Sequence, residues 1–380
     1  MSETAADPLF RPLRIGSVEL PNRIVMAPMT RQFSPGGVPG QNVADYYRRR
    51  ATGGVGLIVT EGVGIDTPAA VDNPAIPVMH GAAALEGWRA VVDAVHARPV
   101  LIFPQLWHQG VLRNPTLASG AEVPPQSPSG YWGTPGHTSY EPDYVERMRR
   151  PLDPMTEEEI ADVVAAYARS ARDAIAVGFD GIAIHGAHGY LIDTFLWADT
   201  NRRTDRYGGS AAQRATFAAE VVRAIRREIG GRPIMFRFSQ HKQQDYSARI
   251  ADTPEVLGTM LGVLADAGVD IFDASTRRFS MPAFEGSDLT LAGWARKLTG
   301  KPSMTVGGVG LNNWMGDTLR NRSETVAIDN LDEVRRLMKQ DQFDLVGVGR
   351  ALLNDPQWVE KARAGESFLP FERAALARLD

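Results

Sequence analysis

Three side chains with acid–base or hydrogen-bonding chemistry stand within six residues in the stretch His185-Gly-Ala-His188-Gly-Tyr190. Two imidazoles at this spacing can donate hydrogen bonds to an oxygen that gains negative charge, and a nearby phenol can deliver a proton. Two other interpretations remain open for these residues alone: a structural turn, and a partial zinc site completed by His108 or His241. No carboxylate-flanked histidine pattern supports zinc, and we predict no metal.

The strand that precedes this turn is one of eight short apolar or β-branched runs, most of which are followed by a helical pattern. The runs are Arg23–Met29, Val55–Glu61, Pro99–Gln105, Gly181–His185, Ile234–Ser239, Asp270–Ser275, Ser303–Gly307 and Leu345–Gly349. The predicted helices are Val43–Ala51, Ala82–Ala97, Thr156–Val177, Ala211–Ile229, Pro254–Ala267, Leu291–Thr299, Leu331–Gln340 and Gln357–Ala364. Eight alternations of strand and helix predict an α/β fold, a closed (β/α)8 TIM barrel with its active site at the carboxyl ends of the strands.

Glycine clusters follow the seventh and eighth runs, where barrels commonly bind phosphate. Backbone N–H groups around Gly307, Gly308 and Gly349 can surround an anion. Arg350 can add a bidentate, charge-assisted contact to phosphate oxygens. This pair of turns, one of which ends in an arginine, favours a phosphate site over two ordinary turns.

Polar residues at other strand ends suit the edge of a heterocycle. Gln105 offers both donor and acceptor atoms. Thr30 either donates its hydroxyl or simply ends a strand. Arg237 is costly to place in a barrel mouth without an anionic partner, which is either a ligand or a structural ion pair with Glu61 or Asp273.

The segment from Gly110 to Pro154 is a long insertion after the third strand, and it is rich in Pro, Gly, Ser and Thr. Because it follows a strand end, it emerges at the face where barrel active sites lie. Its dispersed aromatic residues, which include Trp132 and Tyr140, favour a folded cap over the mouth. A plain ordered insertion is the alternative.

Composition narrows the class of protein. A net charge of -4 gives no reason to expect nucleic acid or an anionic membrane as a partner. The absence of cysteine excludes disulfides and thiolate-ligated iron–sulfur clusters. The polar start and the lack of an apolar run of about 20 residues favour a cytoplasmic location as the default.

Six segments of the chain resemble the old yellow enzyme family of FMN-dependent ene reductases. They are L-F-R-P-L-R-I-G-S-V-E-L-P-N-R-I-V-M-A-P-M-T-R from Leu9, F-P-Q-L-W-H-Q-G from Phe103, H-G-A-H-G-Y-L-I-D-T-F-L from His185, N-R-R-T-D-R-Y-G-G-S from Asn201, T-V-G-G-V-G from Thr305 and G-V-G-R-A-L-L-N-D-P from Gly347. The resemblance implies one FMN-binding barrel domain over residues 1–380, with the cap at 110–154. It places the phosphate of FMN at Gly307, Gly308, Gly349 and Arg350, and the flavin ring at Ala27, Pro28, Met29, Thr30, Gly62, Gln105 and Arg237.

The same resemblance implies an activity and a role in it for His185, His188 and Tyr190. NADPH or NADH reduces FMN, and an alkene activated by a carbonyl or nitro group then accepts the hydride. His185 and His188 bind the substrate oxygen, and Tyr190 protonates the α-carbon. An FMN barrel enzyme for a different substrate class and a non-catalytic flavin binder are the alternatives, and a homo-oligomeric state is left open.

Overall fold

Eight parallel strands close into a barrel in the computed structural model, which describes residues 7–114, 117, 123–319 and 323–380. The strands are β3 Ile24–Met26, β4 Leu57–Gly64, β5 Leu101–Trp107, β6 Ile182–His185, β7 Ile234–Ser239, β8 Ile271–Ser275, β9 Ser303–Val306 and β10 Leu345–Val348. Each strand pairs with the next along the chain, and β10 closes on β3. The predicted (β/α)8 barrel is confirmed, and each predicted run overlaps one strand.

A short antiparallel hairpin, β1 Leu13–Ile15 and β2 Val18–Leu20, precedes the barrel. Ile15 and Leu20 pack with the side chains that fill the barrel interior. The hydroxyl of Ser17 donates to the carbonyl oxygen of Gly231 at 3.4 Å, just before β7 begins. The hairpin therefore covers the amino-terminal end of the barrel, and the opposite end is left for a site.

Helices surround the barrel, and most of them bury an apolar layer against its outside. They are α1 Gln41–Thr52, α2 Ala82–His96, α3 Pro142–Met148, α4 Glu157–Ala176, α5 Leu191–Leu196, α6 Ala211–Arg214, α7 Thr216–Ile229, α8 Pro254–Ala267, α9 Leu291–Thr299, α10 Met315–Leu319, α11 Leu331–Lys339, α12 Arg350–Asn354 and α13 Trp358–Ala364. The predicted capping box begins α4, where the hydroxyl of Thr156 accepts from the N–H of Glu159 at 3.1 Å. The predicted helix Ala211–Ile229 is divided at Ala215. Among the described residues, no helix is long and apolar enough to cross a membrane.

The insertion after β5 contains α3 and a buried aromatic residue. Trp132 is 2% exposed and packs against Val111 and Leu112. Tyr140 and Tyr190 pack against the same small cluster, so the insertion contacts the strand-end turn that carries Tyr190. Residues 115, 116 and 118–122 of the predicted cap lie outside the described residues.

Candidate active site

A cavity of about 480 Å³ opens at the carboxyl ends of the barrel strands. All fourteen residues predicted to bind the flavin or to act on the substrate line it. They are Ala27, Pro28, Met29, Thr30, Gly62, Gln105, His185, His188, Tyr190, Arg237, Gly307, Gly308, Gly349 and Arg350. Their common position follows from the parallel barrel, since every strand ends at the same rim. The role of each residue remains a prediction.

The turn after β6 is held in an unusual backbone conformation. His188 has φ of 65° and Gly189 has φ of 82°, the left-handed region that residues other than glycine seldom adopt. A Cβ atom at Gly189 would stand 1.9 Å from Oε1 of Gln244. The N–H of His188 donates to the hydroxyl of Ser239 at 3.0 Å, and that of Gly189 to Oδ2 of Asp193 at 2.6 Å. These contacts fix the direction of the two side chains that flank Gly189.

Four aromatic rings converge at this turn. The ring of His185 lies 4.8 Å from that of Tyr190 and 5.1 Å from that of His188. Trp107 stacks on His185 at 6.0 Å and meets the edge of Tyr190 at 4.9 Å. The two histidines and the tyrosine therefore face one small volume.

Burial sets the protonation states of these groups. It holds the pKa of His185 and of His188 well below the ordinary value, with a further contribution from Arg237 at His185 and from neighbouring His185 at His188. Nδ1 of His185 accepts from the N–H of Ala187 at 3.4 Å. A neutral imidazole has one acceptor nitrogen, so this contact favours the tautomer in which Nε2 of His185 carries the hydrogen. Burial also raises the pKa of Tyr190, which keeps the phenol protonated.

His188 has a second polar contact, because Nε2 lies 2.8 Å from the hydroxyl of Ser275 at the end of β8. A hydroxyl both donates and accepts, so this contact is compatible with either neutral tautomer of the ring. The cavity therefore presents two neutral histidines, and a ligand oxygen can select the tautomer of His188.

Arg237 forms the ion pair that the sequence left open, and its partner is Asp273. Nε of Arg237 lies 2.5 Å from Oδ2 of Asp273, with both side chains buried. Burial raises the pKa of Asp273, and Arg237 opposes this shift. Nη2 of Arg237 and Nε2 of Gln105 are buried with no hydrogen-bond partner among the described residues. Because an unsatisfied buried donor is costly, both atoms suit a ligand that supplies acceptors.

Glu61, the other candidate partner of Arg237, instead supports the backbone beyond Thr30. Its Oε2 accepts from the N–H of Arg31 at 2.8 Å and from that of Gln32 at 3.1 Å. Burial raises the pKa of Glu61 to about 7. The carboxyl group therefore titrates near neutral pH directly behind the cavity wall.

The predicted phosphate site has one glycine, Gly307, that no larger residue could replace. Gly307 has φ of 141°, and a Cβ atom there would stand 2.4 Å from the carbonyl oxygen of Thr276. Arg350 lines the cavity and also donates to Oδ1 of Asn313 at 3.1 Å and to the hydroxyl of Thr318. Arg350 thus ties the segment after β9 to the cavity wall.

Several lining residues had no assigned role from the sequence. Trp107 and Ser275 end strands, whereas Tyr246, Arg277 and Trp314 come from loops with no periodic signal. The ring of His241 lies 5.1 Å from that of His188, and His108 instead bonds to Gln126 at 2.9 Å. Within the described part of the chain, no group of three or more metal-ligating side chains is placed to hold a metal ion.

Two solved structures share this fold over nearly the whole chain. Morphinone reductase in complex with tetrahydroNAD has a TM-score of 0.78 at 26% identity, covering 97% of this chain and 93% of that one. The old yellow enzyme homologue from Zymomonas mobilis has a TM-score of 0.78 at 25% identity, covering 98% of each chain.

Sequence relatives agree with the structural ones. Rice (Oryza sativa subsp. japonica) 12-oxophytodienoate reductase 1 is 38% identical over 239 residues, which are 63% of this chain and 60% of that protein. NADH oxidase of Thermoanaerobacter brockii is 32% identical over 94% of this chain, and the match spans 51% of that longer protein. The model of the NADH:flavin oxidoreductase / NADH oxidase family matches residues 8–367. The chain belongs to the NADH:flavin oxidoreductase / NADH oxidase family.

Proposed function

We propose that this protein is an FMN-dependent ene reductase. The chemistry supplied by bound FMN is the transfer of a hydride from NADPH or NADH to the C=C bond of an α,β-unsaturated carbonyl or nitro compound. The single observation that carries the proposal is the meeting of two neutral histidines and a protonated tyrosine beside buried donors that lack partners.

The residues present fit FMN at the cavity. Nε2 of Gln105 and Nη2 of Arg237 are donors with no partner in the described part of the chain, and the edge of a flavin ring carries acceptor atoms for both. Gly307, Gly308, Gly349 and Arg350 line the same cavity and supply a glycine-rich wall with one guanidinium for the phosphate. Among the described residues, the lining contains no Asp or Glu to oppose an anionic cofactor.

The protein's own groups would orient the alkene and supply its proton. Nε2 of His185 and a ring nitrogen of His188 donate to the carbonyl or nitro oxygen, where they stabilise the negative charge that develops. Tyr190 holds its proton because of burial and delivers it to the α-carbon. Trp107 fixes the rings of both His185 and Tyr190 and keeps water from their apolar faces.

The visible absorbance of purified protein, followed without oxygen, tests the whole proposal. We expect a flavin spectrum that bleaches on addition of NADPH or NADH and returns on addition of 2-cyclohexenone. A colourless protein would contradict the assignment of FMN. A reduced flavin that no activated alkene reoxidises would contradict the ene reductase activity.

Replacing Tyr190 by Phe separates the two halves of the cycle. We expect reoxidation by cyclohexenone to slow by roughly 10²–10⁴-fold, the usual contribution of a general acid, while reduction by the nicotinamide changes little. Tyr144→Phe, at a half-buried cap tyrosine outside the cavity lining, is the matched control. Equal slowing of both half-reactions in Tyr190→Phe would remove the phenol from the mechanism.

A further inference from the structure

A second, smaller cavity of about 250 Å³ lies beside the first, and the two share part of their walls. The shared lining residues are His241, Tyr246, Ser275, Thr276 and Arg277. Arg249 completes the polar wall of the smaller cavity and is exposed to solvent. A ligand bound beside His188 can therefore extend past Arg277 into this second space.

The charge of both cavities has one sign. The larger cavity is lined by Arg31, Arg237, Arg277 and Arg350, and the smaller one by Arg249 and Arg277. Among the described residues, neither lining includes Asp or Glu. The chain as a whole carries a net charge of -4. This concentration of cations in an acidic protein is a local feature that suits an anionic ligand.

Aromatic rings contact the guanidinium groups of Arg277 and Arg249 and limit their movement. The guanidinium carbon of Arg277 lies 4.5 Å from the ring centroid of Tyr246 and 4.4 Å from that of Trp314. Arg249 lies 5.1 Å over the ring of Phe284 and donates to the carbonyl oxygen of Ala283. A guanidinium held in this way loses little side-chain freedom when it binds an anion.

The hydroxyl groups near these arginines are already engaged. Thr276 donates to the carbonyl oxygen of Val306 at 2.8 Å, and Ser247 to Oδ1 of Asp245 at 2.6 Å. Ser275 contacts His188. Recognition in the second cavity therefore depends on charge, which points to phosphate rather than to a neutral sugar or amide.

We propose that Arg277 and Arg249 form a phosphate subsite for the distal part of the nicotinamide donor. This inference rests on the proposed function, because the donor must place its nicotinamide ring near His185 and His188 and its remaining groups must leave through the mouth. Two sources supply the same chemistry, the diphosphate bridge of both donors and the 2′-phosphate of NADPH alone. The bound ring lies in the larger cavity and the phosphates lie along the arginines.

Anaerobic stopped-flow reduction of the FMN-loaded protein by three donors tests the subsite. The donors are NADPH, NADH and 1-benzyl-1,4-dihydronicotinamide, which has the reactive ring and no phosphate. In Arg277→Gln and Arg249→Gln we expect the Kd of NADPH to rise about tenfold or more, as for loss of a charge-assisted contact. The Kd of the benzyl donor should not change. The neighbouring Arg278→Gln is the matched control, because Arg278 is exposed and lines neither cavity.

The comparison of donors identifies the phosphate that is bound. A parallel loss for NADH assigns the diphosphate bridge, and a loss confined to NADPH assigns the 2′-phosphate. Binding of adenosine 2′,5′-bisphosphate to oxidised, FMN-loaded protein gives a readout apart from turnover, and both variants should weaken it. Arg277→Lys keeps a cation and should retain part of this binding, which separates loss of charge from disturbed packing of Tyr246 and Trp314.

Two results distinguish failure of the subsite from failure of the proposed function. Unchanged Kd values for NADPH and NADH in both variants would overturn the subsite while leaving the ene reductase activity intact. An equal loss for the benzyl donor would overturn it too, because the arginines would then act on the ring position. If no donor reduces the flavin, the proposed function itself is wrong.

Discussion

A buried ion pair between Asp193 and Lys242 supports the turn after β6, and its removal should have a measurable effect on stability. Nζ of Lys242 lies 2.7 Å from Oδ1 of Asp193, and both side chains have no exposed surface. The other oxygen of Asp193 accepts from Gly189, and Lys242 also donates to the carbonyl oxygen of Ser239 at 3.2 Å. The pair thus secures the turn on which His188 and Tyr190 stand.

Removing either charge leaves the other buried without a partner, which typically costs about 3–5 kcal/mol. We therefore expect Lys242→Met and Asp193→Asn each to lower the free energy of unfolding by about this amount. The double variant keeps an amide oxygen for the N–H of Gly189 and buries no charge. The free energy of unfolding lost in the double variant should therefore be smaller, by at least about 2 kcal/mol, than the sum of the losses in the two single variants.

Equilibrium unfolding in urea, at a fixed excess of FMN, measures the free energy of unfolding of the unchanged protein, the two single variants and the double variant. Binding of a phenol, followed through the flavin absorbance, reports on the turn in the same samples, and it should be weakest in Lys242→Met and partly recovered in the double variant. The exposed pair Glu333–Arg336 is the matched control and should show far smaller coupling. If the losses in free energy of unfolding are additive within about 0.5 kcal/mol, the ion pair does not stabilise the turn as argued.

Three further perturbations test other parts of the site. The pKa of Glu61 is about 7 in the folded protein, against an ordinary value of 4.5, so the folded state holds this proton more tightly than the unfolded state does. The free energy of unfolding should therefore fall by about 3 kcal/mol between pH 4.5 and 7. Urea unfolding across this range measures the fall, and Glu61→Gln should show a smaller dependence on pH. Arg350→Ala should weaken FMN binding about tenfold or more in a dialysis measurement, whereas Thr318→Val, which alters the same loop contact and keeps the guanidinium, should not. His188→Ala should sharply weaken phenol binding in a spectroscopic titration, and an undiminished titration would mean that His188 is no oxygen ligand.

The barrel and its rim residues were predictable because the relevant signals are local. Runs such as Ile234–Ser239 have the residue types and bounds of a buried strand, and parallel strands bring all their carboxyl ends to one rim. His185 ends its strand, and Gln105 and Arg237 lie two residues before the ends of theirs, so their meeting follows from the topology alone. The hairpin Leu13–Ile15 and Val18–Leu20 escaped prediction because three-residue strands are too short to show alternation.

The outer wall of the site could not be predicted in the same way. Tyr246, Arg277 and Trp314 lie in three loops that follow different strands, and no spacing in the sequence relates them. The sequence also left open whether the partner of the Arg237 guanidinium is a ligand or a carboxylate of the protein. Its Nε bonds to Asp273 while its Nη2 has no partner among the described residues, so one guanidinium combines the two alternatives.

One physical cause, the exclusion of water, explains how the protonation states of the site fit together. Burial favours the neutral form of every group that can lose its charge, so it lowers the pKa of His185 and His188 and raises that of Tyr190. Arginine keeps its proton in proteins and thus remains the fixed charge of the cavity. The result is a set of neutral hydrogen-bond donors beside permanent cations. Such a site suits an anionic ligand and an oxygen that becomes negative, and in the proposed reaction Tyr190 is the one group of the three that would give up a proton.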